Sequence, residues 1–411
     1  MSNIGWVDFS STDRERVLQV LAMLKEPGTL DELGIGQIRD AFADSLFPGF
    51  STIQTRAKYF VAVPRLFRDY QKLSKRERNR QSLDNYLKEQ ENKVAEVLVK
   101  KHANQDTKTT GIIGATRVEQ GGVARRPSSV YWNGLRQFGI VDTNLSLAEF
   151  CRKYGSQISH YQVASGDDGS DDSDAMEQKK LVHIARTSHN WLAELDINLT
   201  KEEASFLRDK IRHSRNVQHS IPAQLFNALL LEEALDVKLT SFGALSDWLK
   251  SKSNVSDICR KQAILAQQFS LAMEGAHIRY NCLIAAKVRN VTRLNELNER
   301  YMKWHDLVMG VSLFHDDAAT AWISAAQREN PKLKSRAESF VRSWCRALID
   351  KSSVESLNKL VEGQAYLNKG NRSVLKKQFD QDPGWVGMDK LDYRWTQVRN
   401  ILSDIAEGLT C

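Results

Sequence analysis

No proline interrupts the chain between Pro127 and Pro222, or between Pro222 and Pro331. A proline inside a helix removes a backbone donor and clashes with the carbonyl one turn back, so tracts without it are free to form long helices. Apolar residues recur through these tracts at the 3–4-residue spacing of a helix with one buried face. After residue 179 the pattern predicts helix after helix: Thr200–His213, Ile221–Leu235, Phe242–Ser251, Ile258–Lys287, Val291–Asp316, Asp317–Arg328, Pro331–Asp350, Val354–Leu367, Ser373–Phe379 and Trp395–Leu409. Thr200 and Glu203 stand three apart, the spacing at which a hydroxyl and a carboxylate satisfy each other's end-of-helix amides.

The N-terminal part is also read as helical. Helices are expected over Ser11–Lys25, over Asp31–Leu46 with a break at Gly34-Ile-Gly36, over Ser51–Tyr70 with a kink at Pro64, and over Ser82–Lys101. In Pro127–Val141 (PSSVYWNGLRQFGIV) a helix should stop at Gly139 before a short apolar strand. Helix, glycine, strand is the order in which winged-helix modules pass from recognition helix to wing. A winged-helix element is therefore expected near 115–145. The fold class is mainly α.

At 411 residues the chain is too long for one ordinary core. The segment Gly166–Glu177 (GDDGSDDSDAME) divides it, holding six acids and no base. Such residues bury no apolar area, which makes the segment an exposed linker. The expected layout is a basic helical domain over 1–164, a flexible acidic linker over 165–178 and an all-α domain over 179–411. No apolar run approaches the roughly 20 residues needed to span a bilayer, and the N-terminus lacks the form of a secretory signal. A cytoplasmic protein with no membrane contact is expected. The five cysteines are odd in number and far apart, as for reduced, packed thiols rather than a zinc site or disulfide framework.

Charge is unevenly placed. The net value is +7, yet residues 51–135 alone hold 17 Lys and Arg against 8 Asp and Glu, a local +9. The densest part is Arg65–Arg80 (RLFRDYQKLSKRERNR), with aromatics at Tyr59, Phe60, Phe67 and Tyr70 interleaved. Cations of this kind supply the sequence-independent part of nucleic-acid affinity. The candidate contacts are Arg65, Arg68, Lys72, Lys75, Arg76, Arg78, Arg80, Arg125, Arg126 and Arg136, with Tyr131, Trp132 or Arg136 near bases. The competing reading is a solvated helix end and polar loop, basic for solubility alone.

Compact catalytic signatures are missing. There is no GxxxxGK[ST], GxGxxG or GxSxG, and Gly34–Gly36 and Gly111–Gly114 are too short for phosphate loops. The acidic segment lacks EF-hand spacing, and Asp174 with Glu177-Gln-Lys179 mimics a restriction-nuclease motif but sits in the expected linker. His305-Asp306 and His315-Asp316 suggest a metal phosphohydrolase. Ten residues along one helix separate the two histidines by about 15 Å, too far to share an ion. A dispersed site would need further ligands, with His277 and Asp257 nearest in sequence. No cofactor is expected, and the protein is read as non-enzymatic.

Four strings carry a likeness: DELGIGQIRD over Asp31–Asp40, AFADSLFPGFSTIQTRAKYF ending at Phe60, PSSVYWNGLRQFGI, and LDYRW over Leu391–Trp395 with Trp385-Val-Gly before it. Together they resemble the signature of an uncharacterised bacterial protein family. What the resemblance implies is context: such proteins are encountered in anti-phage defence loci, beside genes for helicases and phospholipase-D-like nucleases. It assigns no catalytic residues. The expected function is thus a non-enzymatic defence subunit that binds DNA, docks a helicase or nuclease partner of the same locus, or both. Homo-oligomerisation stays open. The alternatives are a metal-dependent nuclease or phosphohydrolase with a dispersed site (His305, His315, Asp316) and a purely structural helical adaptor.

Overall fold

The computed structural model describes residues 30–106, 109–116, 123, 125–157, 181–186, 188, 190–379 and 381–410. The expected first helix, the acidic segment and the Glu177–Lys179 triplet lie outside these residues. In chain order the helices are α1 (Gly36–Leu46), α2 (Tyr59–Lys72), α3 (Lys75–Arg80), α4 (Leu83–Lys101), α5 (Pro127–Gln137), α6 (Leu147–Gln157), α7 (Lys201–His213) and α8 (Ile221–Asn227). Then follow α9 (Leu231–Ala234), α10 (Phe242–Lys250), α11 (Asp257–Lys287), α12 (Val291–Gly310), α13 (Ala318–Glu329), α14 (Ser335–Ile349), α15 (Val354–Lys369) and α16 (Trp395–Thr410). The protein is mainly helical, as its spacing predicts. Among the described residues the one extended pairing is an isolated antiparallel bridge between Val141 and Val182.

That bridge lies in the stretch where a winged-helix element was expected. Helix α5 and the turn at Gly139 (φ +62°) are where the sequence puts them. No wing hairpin follows among the described residues, because Val141 pairs at a single point and is itself buried.

Hydroxyl caps close at least six of the sixteen described helix starts. Ser74, Ser82, Thr200, Ser220, Ser241 and Ser353 each accept from an amide of the first turn. The Thr200–Glu203 capping box forms as expected: Glu203 N donates to the hydroxyl at 3.3 Å and Thr200 N to the carboxylate at 2.9 Å. The expected break near Gly34–Gly36 is where α1 begins, since Asp31 accepts from the amides of Ile35 and Gly36.

Helix ends were harder to see. Helices α8, α11, α12 and α14 finish in one geometry: Leu229, Arg289, Ser312 and Lys351 take φ between +49° and +57°. The next amide then donates to the carbonyl five residues back, at 2.8–3.0 Å. Glycine usually holds that left-handed position. Leu229 splits the expected Ile221–Leu235 helix into α8 and α9. Ser312 follows the end of α12, so His305 lies in that helix while His315 stands beyond it in a turn.

The chain forms two compact units, each built from separate stretches. One comprises residues 30–42 and 262–391, the other 43–261 and 392–410. In the first unit α11 is buried almost all round between residues 269 and 285. Gly275 lets the Trp304 ring lie against its backbone, where a β-carbon would come within 2.2–2.5 Å of ring atoms. Buried Glu32 accepts from the Tyr280 hydroxyl (2.7 Å), the Ser373 hydroxyl (3.1 Å) and the Val374 amide (3.1 Å), which leaves no bare charge in that core.

Helix α2 is the centre of the second unit, packing on α4, α5 and α7. Tyr59, Phe60, Val63, Leu66, Phe67 and Tyr70 are all buried. The Phe60 ring meets Tyr131 edge-on at 4.7 Å, and Phe67 meets Trp132 and Phe150 at 6.0 and 5.3 Å. The aromatics interleaved with the basic run therefore face inward.

Candidate functional site

The basic run folds as two helices with a corner between them. Ser74 and Glu77 close a capping box at the start of α3. Arg78 donates to the Gln71 carbonyl in the last turn of α2 (2.8 Å), and the Tyr70 hydroxyl donates to Gln81 O (2.9 Å). Six residues of helix are thus held at both ends and carry KRERNR outward.

Within this frame the twelve candidate residues separate into two sets. Tyr131 is fully buried and its hydroxyl donates to Arg56 O (2.8 Å) while accepting from the Thr55 and Arg56 amides (2.9 and 3.1 Å). It is a core residue, and so is Trp132, whose indole donates to Leu145 O. Arg126 pairs with Asp84 (3.0 Å), Arg136 donates to Thr143 O (3.0 Å), and Arg68 donates to Gln71 (3.0 Å). Arg65 is only 6% exposed. Arg125 is half-buried. The exposed cations are Lys72, Lys75, Arg76 and Arg80. Of these Lys72 stands 4.0 Å from Asp69, and the other three have no salt bridge among the described residues.

The loop before α2 was expected to be helical and is not. Its amides are taken by side chains: Gln54 accepts from Ser51 N (3.2 Å) and donates to Gly49 O (3.1 Å), and Tyr131 takes Thr55 and Arg56. Arg56 Nε donates to both oxygens of Asp404 at 3.0 Å, and Ala57 N donates to the same carboxylate at 2.7 Å. Burial holds the Asp404 carboxyl above the ordinary carboxylate value, against the pull of the guanidinium and that amide. Lys58 Nζ lies 2.6 and 2.9 Å from the two oxygens of Glu203, both side chains almost fully buried. The polar letters of STIQTRAK are therefore tethers, which the sequence alone did not reveal.

Glu91 on α4 is a further buried carboxyl, accepting from the amide and, at 3.2 Å, the hydroxyl of Ser128 at the start of α5. Burial is the main cause of its rise to about 7, only partly offset by those hydrogen bonds. A carboxyl raised in the folded state favours folding while protonated. Its contribution is complete below the unfolded value near 4.5 and is lost as pH climbs to about 7. Urea unfolding should show stability falling between pH 4.5 and 7 by up to about 3 kcal/mol. Glu91→Gln should flatten that slope. An unchanged slope in the variant would assign the effect elsewhere.

Among the described residues no three His, Cys, Asp or Glu side chains come close enough to hold a metal ion. His277 is fully buried with Nδ1 against Met273 O (3.0 Å), Asp257 pairs with Arg260, and His305 faces its neighbour Asp306 at 3.9 Å. No described helix is long and apolar enough to cross a membrane. Residues 1–301 match the model of a protein family described as a family of unknown function, DUF6361. No curated protein and no solved structure matches the chain.

Proposed function

The chain belongs to this family of unknown function, and from that premise we propose a non-enzymatic, nucleic-acid-binding subunit of a bacterial anti-phage defence complex. The carrying observation is the corner made by Lys72, Lys75, Arg76 and Arg80: four exposed cations on a fixed scaffold, three without a salt bridge among the described residues. Phosphates bind such groups by displacing counterions. With the neighbouring aromatics in the core, the contact is to backbone rather than to bases. The chemistry then belongs to the partner, a helicase or phospholipase-D-like nuclease of the same locus.

The test is the affinity for a 20-base-pair duplex across a salt series, read by fluorescence anisotropy. Each phosphate contact adds about 0.9 to the slope of log affinity against log salt. The triple variant Lys75→Gln, Arg76→Gln, Arg80→Gln should lower that slope by about 2 to 3 units and weaken binding at every salt concentration. Equal slopes for variant and wild type would sink the assignment. No binding at low salt, with capture of a helicase partner intact, would favour the structural adaptor instead.

A further inference from the structure

A cleft of about 380 Å³ opens in the second unit beside α2 and the start of α7. Its floor is apolar: Val61, Ala62, Trp191 and Leu195. That volume and lining are those of a small-molecule site. One wall holds Arg65, drawn by the sequence into the basic run and placed by the fold in this pocket.

Arg65 is under-supplied with partners for a buried guanidinium. Such a group has five N–H donors and no acceptor. Here its Nη2 reaches Ser188 O at 3.4 Å, and its Nε lies 3.3 Å from Asp69 Oδ1 without a hydrogen bond. Asp69 also accepts from the Trp191 indole at 2.7 Å, so its charge is shared. Buried donors left this loose call for an acceptor, and a guanidinium matches a carboxylate or phosphate edge through two parallel bonds. Exposed Arg186 lines the same cleft and adds a second cation.

Three acids also line it, and their positions decide what they oppose. Glu203 is neutralised by Lys58 at 2.6 Å. Glu194 and Glu202 are exposed at the rim, where water screens them. The deep end holds the Arg65 guanidinium, with the Asp69 carboxylate 3.3 Å from its Nε, and the floor is apolar.

We propose that this cleft binds a small organic anion, with one carboxylate or phosphomonoester head on Arg65 and an apolar body over Val61, Ala62 and Trp191. The site is independent of the basic corner. Titration calorimetry on the full chain with phenyl phosphate, benzoate and benzyl alcohol tests it. At least one anion should saturate at millimolar concentration or below, and the neutral alcohol should bind at least about tenfold more weakly. Which anion binds more tightly identifies the head group. Arg65→Gln should abolish binding. Should that variant fail to fold, exposed Arg186→Gln decides, with an expected loss of about tenfold. The proposal is overturned if neither anion saturates the wild-type protein, if the alcohol binds equally well, or if Arg186→Gln leaves both affinities unchanged.

Discussion

Replacing Lys58 by methionine should destabilise the protein by about 3–5 kcal/mol, the cost of leaving one member of a buried ion pair uncompensated. Lys58 and Glu203 are 145 positions apart in sequence and bonded at 2.6 and 2.9 Å, each about 5% exposed at the side chain. Nothing nearby replaces the ammonium: the remaining donor to Glu203 Oε2 is the Thr200 amide at 2.9 Å, which already closes the cap of α7. Removing both charges is a different experiment. A Lys58→Met, Glu203→Leu double variant takes away the attraction together with the desolvation cost, so it should recover most of the loss. Urea midpoints at pH 7 measure both. A single variant losing less than about 1 kcal/mol, the range of exposed pairs, would mean that water reaches this site.

Gly134→Ala should be comparably severe, for a steric reason. A β-carbon there would meet the carbonyl oxygen of Gly49 and the Phe60 ring, both at 2.5 Å. Gly49 is itself at φ +83°, with its own missing β-carbon facing Gly134 Cα at 3.0 Å, so backbone lies against backbone. Phe60 has nowhere to turn, being packed on Phe50, Tyr131 and Phe138. Overpacking of this kind costs 1–3 kcal/mol where neighbours yield; here about 3 kcal/mol or more is expected. Gly139→Ala is the control. It has the same change of residue at φ +62° with open space around it, and should cost only about 1 kcal/mol of backbone strain. Equal losses in the two variants would contradict the close approach of α5 to the Gly49 turn.

Much of the helical plan was legible in the sequence because its signals are local. The Thr200–Glu203 box, the start at Pro127 and the tracts around Phe269, Trp322 and Trp344 act within a turn or two of chain. The short helix α3 and helix α6 were missed, since six polar residues show no apolar face and LAEFCRKYGSQ offers barely three turns. The non-helical loop over 51–58 was misread because its amides bond to Tyr131, some 75 positions away, and no periodicity carries that information. The candidate site divided for the same reason. Local charge density does not distinguish Arg76, which faces water, from Arg65, which meets a carbonyl 123 positions on. Leucine at 229 hid a helix end that glycine would have announced.

The discontinuous second unit sets an order of events during synthesis. Arg56 and the Ala57 amide hang on Asp404, which follows Arg56 by 348 residues. At ribosomal rates of about 5–20 residues per second, that carboxylate emerges roughly 20 to 70 seconds after the arginine. From its own synthesis until then, α7 lacks the partner whose Gly408 should lie against Ala204 and Leu199. The unit therefore closes only when residues 392–410 arrive.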